Sequence, residues 1–175
     1  MNLSPRSLEF SEAVHSAVLN AECNNTMELD DEFHHIYLIG NGGSSAVASH
    51  IANDLVKVGG KAAHVLTDPA LLTCMANDYG WENALREIIN RYVEENDALI
   101  CISSSGESQN IIEAAAFAQS RGAFVATFTG FEWNNPLRMI GDVNYWVPSS
   151  NYGVVECAHL VLLHSIVNPG EMHGV

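Results

Sequence analysis

Residues 33–58, FHHIYLIGNGGSSAVASHIANDLVKV, decide the fold class of this chain. The apolar run that ends at Gly40 has the composition of a β-strand, and the residues after the turn have the apolar spacing of an amphipathic helix. The same order returns in residues 98–122, ALICISSSGESQNIIEAAAFAQSRG, with a strand predicted over 98–102 and a helix over 109–121. Two strand-turn-helix units of this kind predict a parallel sheet.

Further elements extend the pattern to a doubly wound α/β fold. Strands are predicted over residues 62–66, 123–128 and 143–147, and helices over 4–19, 81–93 and 155–167. Apolar strands without alternation must be covered on both faces, so we expect a three-layer αβα sandwich. The chain is predicted to form a single domain over 1–175, with an N-terminal helix and linker (1–32), a core (33–167) and a loose tail (168–175).

The charge balance excludes some classes of partner. The chain has 7 basic and 21 acidic residues, a formal net charge of −14. Such a charge opposes binding to a nucleic-acid backbone or an anionic membrane. No apolar run is long enough for a transmembrane helix and the N-terminus does not have the order of a signal peptide, so we expect a cytoplasmic protein. The cysteines are isolated, which predicts buried free thiols rather than disulfides: Cys23, Cys74, Cys101 and Cys157.

Two loops are candidates for binding an anion. We call residues 40–45, GNGGSS, the glycine loop and residues 103–108, SSSGES, the serine loop. Each follows a strand and precedes a helix, where free backbone N–H groups attract anions. Neither loop contains Lys or Arg. Neutral donors suit a small phosphate ester, whereas a nucleoside triphosphate site has the P-loop lysine. The alternative is that both are ordinary turns with Ser and Asn as helix caps.

A second set of candidates lies on two distant helices. His50 and Asp54 are four residues apart, so they share a helix face, and Glu156 and His164 lie on the last predicted helix. Four side chains of this type could bind a metal or transfer a proton if the helices converge. The alternative for the first pair is a surface hydrogen bond. For His159 we expect a core or interface position.

Four motifs carry a resemblance to a known family. GNGGSSAVASHIANDLV, CMANDYGWE, ISSSGESQNII and ECAHLVLLH, in this order, closely resemble the sedoheptulose 7-phosphate isomerases (phosphoheptose isomerases) of the sugar isomerase (SIS) domain superfamily. The likeness covers about residues 33–167. It implies a five-stranded parallel sheet flanked by helices, and a homotetramer whose active sites are shared between subunits.

The resemblance also implies a set of site residues. Sugar-phosphate contacts are expected from Asn41, Gly42, Gly43, Ser44, Asn77, Asp78, Ser103, Ser104, Ser105, Ser108 and Glu156. A metal, zinc in the metal-binding members, is expected to be held by His50, Asp54, Glu156 and His164.

Three positions depart from the family pattern. Asp54 replaces a glutamate, Glu156 replaces a glutamine, and Glu107 turns the family's SGNS into SGES. Two carboxylates with two imidazoles favour a divalent cation more strongly than a set with glutamine. The Glu107 side chain must point away from a bound phosphate, or the ligand differs.

The resemblance implies a ketose–aldose isomerisation, most simply of D-sedoheptulose 7-phosphate to D-glycero-D-manno-heptose 7-phosphate through an enediol(ate). Asp54 is the candidate base, and either the metal or His164 is the candidate electrophile or acid. Asp54 cannot easily be a tight ligand and a free base at once, so both roles stay open. The alternatives are an isomerase of another phosphosugar and a non-catalytic SIS-domain binding protein of the type associated with the bacterial replication initiator.

Overall fold

The structure, a computed structural model, describes residues 3–29 and 33–167, and confirms the αβα sandwich. The predicted tail, 168–175, lies outside the described residues. The helices are α1 (Pro5–Leu19), α2 (Gly42–Lys57), α3 (Pro69–Tyr79), α4 (Trp81–Tyr92), α5 (Gln109–Ser120) and α6 (Tyr152–Val167), with a 3₁₀ turn at Leu137–Met139. The strands are β1 (Glu22–Cys23), β2 (Ile36–Gly40), β3 (Ala63–Val65), β4 (Ala98–Ser103), β5 (Phe124–Thr129) and β6 (Val143–Trp146).

The sheet has six strands in the order β1-β6-β5-β4-β2-β3. β3, β2, β4, β5 and β6 are parallel, which confirms the predicted five-stranded parallel sheet. One face, with Leu38 and Ile100, is buried with residues of α2 and α6. The other face, with Ile39 and Leu99, is buried with residues of α4 and α5. Burial on both faces explains why these strands are continuously apolar.

The segment after α1 is more than the predicted linker. Glu22 and Cys23 form β1, which pairs antiparallel with β6 and adds a sixth strand. Asn24 continues the contact, because its Oδ1 accepts a hydrogen bond from the Asn144 N–H at 2.7 Å. So short a strand has no periodicity that a sequence pattern could show.

Helix α3 is absent from the predicted elements, although its first residues have a start signal. The Asp68 carboxylate accepts hydrogen bonds from the N–H groups of Ala70 and Leu71, both at 3.0 Å. Pro69 occupies the first turn, where its missing N–H costs nothing. No residue of α3 is buried, so the helix lacks a strong apolar stripe.

The prediction of buried thiols is right only for Cys101. Cys23, Cys74 and Cys157 are exposed, and the four cysteines are free. Within residues 3–29 and 33–167, no helix combines the length and the apolar character needed to cross a membrane.

The topology brings the two loops together. β2 and β4 are neighbours, but the chain leaves β2 through α2 toward β3 on one side, while β5 and β6 lie on the other. The carboxyl ends of β2 and β4 therefore flank the topological switch point of the sheet, where ligands bind in open α/β folds. The glycine loop follows β2 and the serine loop follows β4.

The serine loop packs against the buried side chain of Asn135. Its Nδ2 donates to the carbonyl oxygens of Gly130 and Glu132 at 3.3 and 2.9 Å. Gly106 has a φ of +68°, and a Cβ added there would overlap the Asn135 amide. Gly60 has a similar φ of +64° but open space around it.

Gly106→Ala is therefore expected to destabilise the protein by about 1–3 kcal/mol more than Gly60→Ala, because only the first adds a steric overlap to the left-handed strain. Urea unfolding of both variants measures this difference. Equal losses of the free energy of unfolding would contradict the proposed contact with Asn135.

α6 is anchored to β5 through His159. The ring is fully buried, and its Nε2 lies 3.0 Å from the carbonyl oxygen of Thr129, to which it donates as the neutral tautomer. Nδ1 has no hydrogen-bond partner among the described residues. Burial lowers the pKa of His159 from 6.5 to about 4. The expected core position is confirmed.

This shift predicts a pH-dependent stability. Between the lowered folded pKa and the unfolded pKa, the unfolded chain binds more protons at His159 than the folded chain. The stabilising effect is present above about pH 6.5 and is lost as the pH falls toward about 4, with a slope of up to about 1.4 kcal/mol per pH unit. We expect the free energy of unfolding of His159→Gln, measured with urea across that pH range, to lack this pH-dependent component. Equal pH dependence of the free energy of unfolding in the wild-type protein and the variant would refute the assignment to His159.

Candidate active site

Two side-chain amides join the glycine loop to the start of α5, which follows the serine loop. Asn41 Nδ2 donates to Asn110 Oδ1 at 2.9 Å, and Asn110 Nδ2 donates back to Asn41 Oδ1 at 3.1 Å. Asn110 is buried in the first turn of α5. The reciprocal pair fixes the start of α2 against the start of α5. Asn110 was not predicted as a site residue, because no sequence pattern identifies a partner 69 positions away.

A cavity of about 110 Å³ opens between these loops, and we call it the serine pocket. It is lined by Asn41, Ser44, Ser103, Ser104, Ser105, Ser108, Tyr152 and Glu156. Seven of these were predicted as sugar-phosphate contacts; Tyr152, at the start of α6, was not. Gly42 and Gly43, the other predicted contacts of the glycine loop, are exposed in the first turn of α2.

The serine pocket is built to attract an anion without a basic residue. Asn41 and Ser108 are the N-caps of α2 and α5, and neither side chain makes a capping hydrogen bond within the described chain. The first N–H groups of both helices are thus available to a ligand. Ser104 Oγ is buried and has no hydrogen-bond partner in residues 3–29 and 33–167. A buried hydroxyl without a partner favours a ligand that supplies one.

Glu156 places a negative charge at this pocket. Its carboxylate lies against Gly43, so closely that a Cβ at position 43 would overlap both carboxylate oxygens. A side chain at position 43 would displace the Glu156 carboxylate from this position. Glu107 is exposed and does not line the pocket, as a phosphate-binding role of the serine loop requires.

Three of the four predicted metal ligands meet on the facing sides of α2 and α6. His50 Nε2 lies 3.2 Å from His164 Nε2 and 3.4 Å from Asp54 Oδ2. His164 Nδ1 lies 3.5 Å from the same Asp54 oxygen. We call these three residues the His–Asp–His cluster. Its side chains are 51, 17 and 39% exposed for His50, Asp54 and His164, so solvent or a substrate can reach it.

The cluster fits a zinc ion. One ligand atom from each residue lies within 4.8 Å of the others. Zinc bonds of about 2.0–2.1 Å in tetrahedral geometry place two ligand atoms about 3.4 Å apart. His50 Nε2 already has such a separation from His164 and from Asp54. Three protein ligands with an open side is the pattern of a catalytic rather than a structural zinc site.

Glu156 does not belong to this cluster, and helix geometry gives the reason. It precedes His164 by eight residues, which is about 12 Å along the axis and about 80° around it. α2 and α6 run side by side in the same direction, with Gly43 beside Glu156 and His50 beside His164. Glu156 lines the serine pocket, and its predicted role as fourth ligand stays a prediction.

Asn77 and Asp78 are not brought to the pocket either. Both are exposed in the last turn of α3, where Asn77 Nδ2 donates to Asp78 Oδ1 at 2.9 Å. Neither residue lines the serine pocket. Their predicted substrate contact stays a prediction.

Comparisons with known proteins agree with this geometry. The SIS domain family matches residues 7–130. The phosphoheptose isomerase of Burkholderia pseudomallei strain K96243 is 36% identical over 137 residues, which cover 75% of this chain and 69% of that protein. That of Geobacter metallireducens is 31% identical over 137 residues, covering 75% and 72%.

Solved structures give the same result. The phosphoheptose isomerase GmhA from Neisseria gonorrhoeae superposes with a TM-score of 0.77 at 28% identity and covers 93% of each chain. A phosphoheptose isomerase from Francisella tularensis has a TM-score of 0.71 at 24% identity, covering 93% of this chain and 83% of that one, and supports the fold. The family match ends before α6, so the positions of Glu156 and His164 rest on the structure itself. The chain belongs to the SIS domain family and, within it, to the phosphoheptose isomerases.

Proposed function

We propose that the protein is an aldose–ketose isomerase that converts D-sedoheptulose 7-phosphate into D-glycero-D-manno-heptose 7-phosphate. The observation that carries the proposal is the spacing of two sites along α2. Gly43 lies against Glu156, which lines the serine pocket, and His50 of the His–Asp–His cluster follows seven residues later. The rise between them is about 10 Å, comparable with the extended length of a seven-carbon sugar phosphate.

In this proposal the phosphate lies in the serine pocket. The hydroxyls of the serine loop and the N–H groups at the starts of α2 and α5 donate to its oxygens. Ser104 Oγ gains the partner that the described chain does not provide. The sugar then extends past Glu156, whose carboxylate accepts hydrogen bonds from hydroxyls, and its C1–C2 end reaches the His–Asp–His cluster.

The reaction moves one proton between C1 and C2 and another between their oxygens. Asp54 is the proposed base for the carbon-bound proton, and His164 the proposed acid at the oxygen. The two oxygens of Asp54 differ: Oδ2 faces both imidazoles, whereas Oδ1 lies 3.4 Å from Asn53 Nδ2. One oxygen can thus serve the cluster while the other accepts the proton. The alternative to His164 as the acid is a divalent metal, which would be held by His50, Asp54 and His164 and would supply positive charge for the developing oxyanion.

A homotetramer with shared active sites is part of the proposal. Asn77 and Asp78 are exposed and do not line the serine pocket of their own chain. In an assembly we expect them to contact substrate in the site of a neighbouring copy.

The direct test is incubation of purified protein with D-sedoheptulose 7-phosphate. We expect formation of the aldose phosphate, and a loss of at least about 100-fold in kcat for Asp54→Asn, because a base contributes on this order. NMR of the sugar carbons follows the conversion. Glu12→Gln, an exposed carboxylate of α1, is the control and should keep full activity.

Unchanged turnover in Asp54→Asn would remove it as the base. Faster conversion of a shorter ketose phosphate than of the heptulose phosphate would leave the isomerase but refute the proposed substrate.

A second prediction concerns the charge of Glu156. Removing a negative charge beside a bound anion should strengthen binding of inorganic phosphate, roughly threefold to tenfold for a few ångströms of partly solvated separation. Isothermal titration of Glu156→Gln with inorganic phosphate measures this, and Glu107→Gln, outside the pocket, should change less. Binding that is equal or weaker in Glu156→Gln would contradict its place at the anion site, whereas no phosphate binding in either protein would contradict the serine pocket as that site.

A further inference from the structure

Two cavities that are larger than the serine pocket lie away from it. One of about 360 Å³ opens at the amino ends of β2 and β4 and is lined by His34, His35, Tyr37, Tyr92, Glu94 and Asp97. We call it the amino-edge cavity. A second, of about 240 Å³, shares Tyr37 and Tyr92 with it and adds His64 and Asp68. The loops of the proposed active site lie at the carboxyl ends of β2 and β4, so the amino-edge cavity belongs to the opposite end of these strands.

Three rings meet on one sheet face at this end. His35 and Tyr37 are two residues apart and point to the same side of β2, and Tyr37 is paired in register with His64 of β3. The ring centres lie 5.9 Å apart for His35 and Tyr37, 5.7 Å for Tyr37 and His64, and 5.6 Å for the two histidines. Two imidazoles, one directly before β2 and one on β3, are thus held side by side.

The backbone that carries these groups is fixed by Asp97, which is buried. Its Oδ1 accepts from the His35 N–H at 3.0 Å, and its Oδ2 accepts from the Glu94 N–H at 2.8 Å. One carboxylate therefore holds the start of β2 and the turn before β4 together. As a result, Glu94 lies on the wall of the cavity that His35 also lines.

The cavity has a negative character. Burial, together with the charges of Asp97 and Glu94, raises the pKa of Tyr37 above its usual 10.0. None of the described residues that line either cavity is Lys or Arg. A cation, rather than the anion expected in the serine pocket, suits these walls.

We propose that His35 and His64 together bind a divalent transition-metal ion of the zinc class, with solvent completing its coordination. Imidazole nitrogen and carboxylate oxygen are the ligands such ions prefer outside thiolate sites. The ring separation of 5.6 Å is close to the 5.1 Å between His50 and His164, whose nitrogens are 3.2 Å apart. His35 and His64 are exposed, so rotation about their side-chain bonds can bring one nitrogen of each ring to the same ion.

The test counts zinc sites independently of catalysis. In the full-length His50→Ala/His164→Ala background, which removes the first cluster, metal-free protein is titrated with zinc by calorimetry. We expect one remaining site per chain. Adding His35→Ala or His64→Ala should weaken it by at least about tenfold, since even loss of a residue that only supports a ligand has an effect of this size. His15→Ala, an exposed histidine of α1, is the control and should leave it unchanged.

NMR of the imidazole protons in the same background identifies the ligands. Zinc should shift the His35 and His64 signals and leave His15 in place. No zinc binding in the background, or binding that survives loss of both His35 and His64, would overturn the proposal. Loss of binding on His34→Ala with retention on His35→Ala would also overturn it, because the ligand set would then be different. None of these outcomes bears on the isomerase, since the background lacks its proposed acid.

Discussion

The rest of the site depends on the contact between Asn41 and Asn110 at the switch point of the sheet. β2 and β4 are hydrogen-bonded neighbours whose following connections diverge, so a crevice must open above their ends. The two amides span that crevice with reciprocal hydrogen bonds. They hold two helix N-termini beside one small cavity, and the electrostatics of the cavity follow from the peptide groups rather than from basic side chains. A protein with a net charge of −14 can in this way attract an anion locally.

α6 supplies the second half of the site, and three of its residues act at different places. Glu156 faces the serine pocket, His159 donates to the Thr129 carbonyl of β5, and His164 meets His50 and Asp54. The buried side chain of His159 fixes the position of this helix. Its hydrogen bond sets the height and rotation of α6 relative to the sheet, and the other two side chains follow from helical geometry.

The fold was predictable from the sequence because apolar runs, glycine-ended strands and helix periodicity are local signals. Both loops and the three residues of the His–Asp–His cluster were predicted as well, with help from the family resemblance. Three features were not. β1 is too short to have a period, α3 buries too little to show a stripe, and Asn110 acts through a partner that only the folded chain brings near. The direction of the Glu156 side chain could not be predicted either, because it depends on how α6 is rotated relative to α2.

The two-residue strand β1 has a consequence for the solution behaviour of the protein. Without it, β6 would end the sheet with unpaired backbone N–H and C=O groups, a template for pairing with another chain. The segment after α1 covers this template with β1 and with Asn24, and the Met27 N–H donates to the Tyr145 hydroxyl at 3.0 Å. The segment after α1, which has no apolar periodicity of its own, thus protects the edge of β6 from pairing with a strand of another chain.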